Sequence, residues 1–398
     1  MTKTKIMIAL VMLLAGLKSN GQEALFGGQE IVSPEINKDK SVTFRLLAPA
    51  ADSVFITGDF LPTTKMKTPM GEMDAPGKKL LSKNGDGLWT YTTETLPSEL
   101  YNYSFIVDGM TIRDPNNPFV IRDVSSLTNI FIIGKGKADS YKVNDVPHGT
   151  VAKRWYDSPG LGMDRRITIY TPPGYEDSKE EYPVLYLLHG AGGDEEAWMD
   201  LGRTSQIIDN LIAEGKAQPM IIAMPNGNVT QDAAPGKGSD GFYKPVFMAP
   251  KTMDGTYEAY FMDIIKFVES NYRVKANKEN RAIAGLSMGG FHSFHISRYY
   301  PNMFDYVGLF SAAIMPREDA TGEVYNNINE TLEQQHKNGL ELYYIAIGKT
   351  DFLYKANQDL KKQLDEIGMP YEYVETDGGH IWRNWRIYLT DFAPKLFK

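Results

Sequence analysis

Residues 281–301 read RAIAGLSMGGFHSFHISRYYP. An apolar run, Ala282, Ile283 and Ala284, leads directly into Gly285, Leu286, Ser287, Met288 and Gly289, and a helical stretch carrying Phe291, Phe294 and Ile296 leads out. Strand, tight turn and helix in that order are the setting in which G-x-S-x-G lifts a serine hydroxyl to the top of a sheet. Glycine belongs there because the turn is strained and packs closely on its neighbours. The stretch predicts an α/β sheet with Ser287 as a nucleophile at its edge.

The rest of the C-terminal half repeats the rhythm. PVLYLLHG (183–190), PMIIAMPNG (219–227), YVGLFSAA (306–313) and ELYYIAIG (341–348) are continuous apolar runs, interleaved with helical stretches such as 257–272 and 354–368. Buried parallel strands alternating with helices imply a sheet covered on both faces. Upstream the period changes. SVTFRLLAPA, DSVFITGD, GLWTYTTETL, LYNYSFIVDG and NIFIIG lie between 41 and 134, rich in β-branched and aromatic residues and separated by turn formers. Short alternating runs at close intervals predict an antiparallel, immunoglobulin-like β-sandwich. The polar segment 71–87 reads as a surface loop and 134–148 as a linker. With 398 residues, two domains are expected: a sandwich over 22–140 and an α/β-hydrolase domain over 141–398.

Residues 1–21 have the parts of a secretory signal. Lys3 and Lys5 give a positive start, 6–17 an apolar core, and Ser19, Asn20 and Gly21 a small-residue cleavage site. Export to a bacterial periplasm or beyond is expected, with no stable membrane anchor. The absence of cysteine excludes disulfides, a thiol nucleophile and cysteine-based metal sites. A formal net charge of −8 disfavours nucleic acid as a partner.

A serine hydroxyl needs a base and an orienting acid. Of the six histidines, His148 lies in the linker, His189 ends a strand, His292 and His295 sit on the helix after Ser287, and His336 belongs to the polar run TLEQQHKNGL. His380, in ETDGGHIWRNW after the strand-like YEYVET, is the expected base. The acid should fall between serine and histidine in chain order. Asp351, just past the strand in YYIAIGKTDFLY, fits better than Asp319, Glu375 or Asp377. Donors for an oxyanion are expected from the N–H of Met288 and, in the loop LYLLHGAGGDEEAW, from that of Ala191. No metal or other cofactor is called for: H-E-x-x-H, phosphate-loop and dinucleotide patterns are missing.

On RRITIYTPPGYE, YPVLYLLHGAGGDEEAW, MIIAMPNGN, GLSMGG, GKTDFLY and GGHIWRNW, in that order, the chain from about His148 onward resembles carbohydrate esterase family 1. That group holds feruloyl and acetylxylan esterases, and esterase D and enterochelin esterases are similar. The resemblance implies Ser287, Asp351 and His380 as a triad, with Met288 and Ala191 at the oxyanion hole. VTFRLLAPAADSVFITGDF and LYNYSFIVDGMTIRDPNNP are similar to carbohydrate-binding module family 48.

The expected substrates are hydroxycinnamoylated or acetylated xylan oligosaccharides, ferulate esters foremost. The long segment 226–254 reads as a specificity loop. Its Phe242 and Tyr243, with Trp198, Trp382 and Trp385, are expected to wall an aromatic slot, and Arg383 and Lys244 to meet polar groups of a glycan. Acetylxylan or siderophore esters, acyl transfer to a sugar hydroxyl, and a non-catalytic glycan-binding role are the alternatives. Oligomeric state is not legible.

Overall fold

The computed structural model describes residues 31–68, 71–317 and 320–398. Residues 1–21, expected to be a secretory signal, and Asp319 lie outside the described residues. Two antiparallel sheets form the body of the N-terminal part, with a separate two-stranded ribbon beside them in sequence. One contains Glu35–Ile36, Val42–Leu47, Leu88–Thr92 and Ser82–Lys83; the other runs Val120–Asp123, Ser126–Ile133, Glu99–Val107, Val54–Gly58, Lys78–Leu80. Alternation builds their shared core. Val42, Phe44 and Leu46 pack with Tyr101, Tyr103, Phe105 and Phe131, while Arg45 and Asn102 between them are only partly buried.

The segment expected as a surface loop, 71–87, instead contains Gly71–Ala75, paired with Thr64–Thr68, together with Lys78–Leu80 and Ser82–Lys83. Lys78–Leu80 is exposed throughout and held by ladder hydrogen bonds to Val54–Gly58. An edge strand of this kind buries little, so it leaves no hydrophobic period to read.

The C-terminal sheet has eight strands in the spatial order Thr150–Ser158, Met163–Thr171, Ile221–Pro225, Val184–Leu188, Arg281–Leu286, Tyr306–Phe310, Leu342–Gly348, Glu372–Thr376. The first two are antiparallel; from Ile221–Pro225 onward the strands are parallel. The apolar runs are continuous because both faces are covered. Tyr186, Leu188, Ile283, Val307 and Ile345 pack under the helices around Phe261 and Leu360. Leu185, Leu187, Ala282, Ala284 and Tyr344 meet Ile207, Tyr388 and Phe392 on the other face. Chain order reverses around Val184–Leu188, whose successors lie on opposite sides of it. The carboxyl ends at such a switch point form a crevice where ligands bind.

The stretch 134–148 is a packed connection, not a free linker. Ala138 and Tyr141 are buried, and Asn210 donates to the carbonyls of Ser140 and Lys142. Beside it, Glu99 of the sandwich is buried and receives Lys137 at 2.8 Å, Arg383 at 3.0 Å, Arg386 at 3.2 Å and the Tyr141 hydroxyl. Burial pushes its carboxyl up, but the hydrogen bonds from Lys137 and Tyr141 and the charge of Arg386 outweigh this and hold it below its usual 4.5. Its stabilisation is therefore present above pH 4.5 and is lost as the pH falls through the lowered value. Glu99→Ala leaves Arg386 buried without its counter-charge. A loss of about 3–5 kcal/mol in urea unfolding at neutral pH is expected; a loss below about 1 kcal/mol would show that the cluster does not hold the two parts together.

Candidate active site

Ser287 sits between Arg281–Leu286 and the helix Met288–Tyr299 with φ 53° and ψ −112°. A non-glycine residue holds such a conformation only where its surroundings fix it. Here its N–H donates to Phe310 O (2.9 Å), and its carbonyl accepts from Phe291 N (3.0 Å) and Ala313 N (3.1 Å). Gly289 is glycine because the turn lies directly against the backbone of Leu188 and His189, leaving no room for a Cβ. The hydroxyl thus stands at the positive end of a helix, on a turn locked from three sides.

His380 follows Glu372–Thr376, and Asp351 follows Leu342–Gly348, the adjacent strand. The imidazole Nδ1 is 2.9 Å from Asp351 Oδ2 and 3.1 Å from Oδ1. The carboxylate side chain is fully buried, and its Oδ1 also accepts from Leu353 N (2.9 Å). A carboxylate facing Nδ1 fixes the proton there and leaves Nε2 bare. The ring is held at 4.5 Å from Phe352 and edge-on at 4.9 Å from Trp385. The other acids are engaged elsewhere: Glu375 accepts from Tyr354 and Tyr373, and Asp377 is exposed beside Lys349.

The loop 189–194 runs past Ser287 at the end of Val184–Leu188. His189 Nε2 accepts from Gly227 N (2.8 Å), so its Nδ1–H donates to Gly190 O (2.8 Å). Burial lowers its pKa to about 4, and the neutral ring ties two strand-end loops together. Three of the other histidines have structural partners, and His336 lies on the helix Ile328–Lys337. His148 pairs with Asp209, His292 with Glu258, and His295 with Ile314 O and Arg298.

Ser287, His380 and Ala191 open onto one cavity of about 750 Å³. Phe352, Ile381, Trp382 and Trp385 form one wall; Asp59, Asn102, Ile121, Arg122 and Val124 of the sandwich form the facing one. The expected slot is only partly present. Trp198 is buried in the core, where its Nε1–H donates to Leu188 O (2.8 Å) and its ring backs Trp382 at 5.4 Å. An indole N–H satisfied inward is not available to a ligand. Phe242 is 93% exposed with its ring over Gly236, and neither it, Tyr243 nor Lys244 lines the cavity. From that long loop Phe247 reaches the cavity instead. Arg383 lines it while paired with Glu99.

Sequence reasoning missed Phe352 and the sandwich wall as site residues. Phe352 directly follows Asp351, a signal that was available; nothing in the sequence brings 121–124 beside 190–194.

Residues 158–396 match the Esterase family. The chain belongs to the Esterase family. Its family places it among carboxylic ester hydrolases of the α/β-hydrolase fold. This esterase is 30% identical over 381 residues to an endo-1,4-beta-xylanase/feruloyl esterase of Xylanibacter ruminicola, covering 93% of the chain and 46% of that relative, less than two thirds of its length. It is also similar to a ferulic acid esterase of known structure, with TM-score 0.51 and 26% identity, over 62% of this chain and 97% of that one. An enterobactin esterase from Shigella flexneri shares the fold over 90% of this chain and 93% of its own, with TM-score 0.59 and 16% identity.

Proposed function

We propose that this esterase uses Ser287, His380 and Asp351 to release hydroxycinnamates, ferulate foremost, from xylan-derived oligosaccharides. The cavity carries the reading. Phe352 and Trp385 stand beside the His380 imidazole and Trp382 packs on Trp385, so a flat aromatic acyl group can lie against rings next to the reacting serine. The names of the xylanase/feruloyl esterase and the ferulic acid esterase support the same substrate class. The sandwich wall, with Asp59 and Asn102, offers hydrogen-bonding groups to the sugar. Residues 1–21 fit export, which agrees with a polymer-derived substrate.

His380 Nε2 takes the proton of Ser287 as Oγ attacks the ester carbonyl, and Asp351 stabilises the imidazolium. The N–H groups of Ala191 and Met288 receive the oxyanion. The tetrahedral species collapses, the sugar alcohol leaves with the proton from His380, and the acyl group stays on Ser287. Water, deprotonated by His380, then attacks the acyl-enzyme; the acid departs and Ser287 regains its proton.

The cavity is larger than an acetyl group needs. The wall also suits an anionic catecholate poorly. Asp59, Asp123 and Asp200 line it, while Arg383 and Arg386 are already paired with Glu99. We expect the esterase to release ferulate from feruloylated arabinoxylan oligosaccharides at least tenfold faster than acetate from acetylated xylan oligosaccharides, measured by chromatography of the freed acids. Acetate release equal to or above ferulate release would overturn the hydroxycinnamate reading and leave the serine mechanism standing.

A further inference from the structure

The loop 190–194 is gripped from two sides, and one of them belongs to the sandwich. On the inner side His189 holds Gly190 O, and Gly190 lies against Leu286 and Ser287. On the outer side stands the hairpin of Val120–Asp123 and Ser126–Ile133, closed where Asp123 pairs with Ser126. At its tip Val124 has φ 51°, a conformation that a β-branched residue adopts only under constraint. Arg122 supplies that constraint. Its Nη1–H donates to Val124 O at 3.1 Å, and Nη2–H donates to Asp194 Oδ2. Asp194 is itself buried, and its Oδ1 accepts from Glu196 N at 3.0 Å. The Val124 side chain fills the space over Gly192, where a Cβ would lie 2.5 Å from Val124 Cγ2. Ala191 therefore lies between a clamp from the catalytic half and a clamp from the sandwich.

We propose that Arg122 and Val124 are positioning residues that aim the Ala191 N–H at the oxyanion, so that the sandwich hairpin completes the catalytic half. The inference rests on the serine-esterase reading above. The arrangement gives the strained turn a purpose: the backbone at Val124 is held so that its side chain, not solvent, borders the loop that carries one of the two oxyanion donors. Oxyanion donors are worth about 10²–10³ in kcat when removed outright, so a displaced donor should cost a fraction of that.

The test uses the full chain and 4-nitrophenyl acetate, which carries no sugar to touch the sandwich. Arg122→Ala is expected to lower kcat about 10- to 100-fold with KM within about twofold, and Val124→Gly about tenfold. Arg122→Lys, which keeps the charge on Asp194 but not the fork to Val124 O, should recover part of the loss. Affinity for a boronic acid that mimics the tetrahedral species should fall by the same factor as kcat/KM. A change in folding alone would not produce that match. Circular dichroism and thermal melts check each fold; if Arg122→Ala does not fold, Val124→Gly decides. Wild-type kcat in a folded variant overturns the proposal, and so does a loss confined to KM on feruloylated oligosaccharides, which would make the hairpin a substrate contact. Failure of the serine reading is separate: it would show as retained turnover in Ser287→Ala.

Discussion

Ser287→Ala is expected to cut kcat on 4-nitrophenyl acetate by a factor on the order of 10⁶ while the protein stays folded. The size follows from what is lost. Without Oγ there is no acyl-enzyme, and His380 and the N–H groups of Ala191 and Met288 can only assist a water molecule. The fold should be indifferent because the turn is held by backbone groups: Phe310 O, Phe291 N and Ala313 N all bond to the main chain of residue 287. Alanine meets the same backbone conformation as serine, so the unfolding free energy should change by no more than about 0.5 kcal/mol. Turnover in single-enzyme preparations and a urea titration give both numbers. A variant retaining even a tenth of the rate would remove Ser287 from the mechanism.

Asp351→Asn is expected to lower kcat about 10⁴-fold. Asp351 Oδ1 accepts from Leu353 N as well as facing His380. An amide at this position keeps its oxygen toward Leu353 N–H and turns its NH₂ toward Nδ1. That nitrogen must then accept, the proton moves to Nε2, and the base is in the wrong tautomer to take a proton from serine. Glu375→Gln and Asp377→Asn should each stay within about twofold, since their carboxylates are committed to Tyr354 and Tyr373, and to Lys349. The comparison of the three variants under identical conditions decides among the acids. A fall in Glu375→Gln or Asp377→Asn deeper than in Asp351→Asn would reassign the role.

Much of this was readable before any coordinates. The apolar runs named five central strands because parallel strands covered on both faces bury every side chain. The order Ser287, Asp351, His380 was readable because each residue stands just past a strand, where the chain must turn at the same edge of the sheet. What the sequence could not settle were surfaces. Trp198 and Trp382 look alike as loop-borne tryptophans, yet one donates its N–H into the core and the other walls the cavity. Lys78–Leu80 was invisible because its stability lies in backbone hydrogen bonds that any residues can make.

The sequence by itself determined the two periods, the strand–turn–helix around Ser287, and the placing of Ser287, Asp351 and His380 just past strand ends. Each depends on near neighbours or on a repeating pattern of burial. Only the tertiary structure decided the cavity, its sandwich wall, and the grip of Arg122 on Asp194 and of Glu99 on Arg386. These join residues 72 and 287 positions apart. A contact at such separation is set by how whole sheets dock, and no local pattern encodes it.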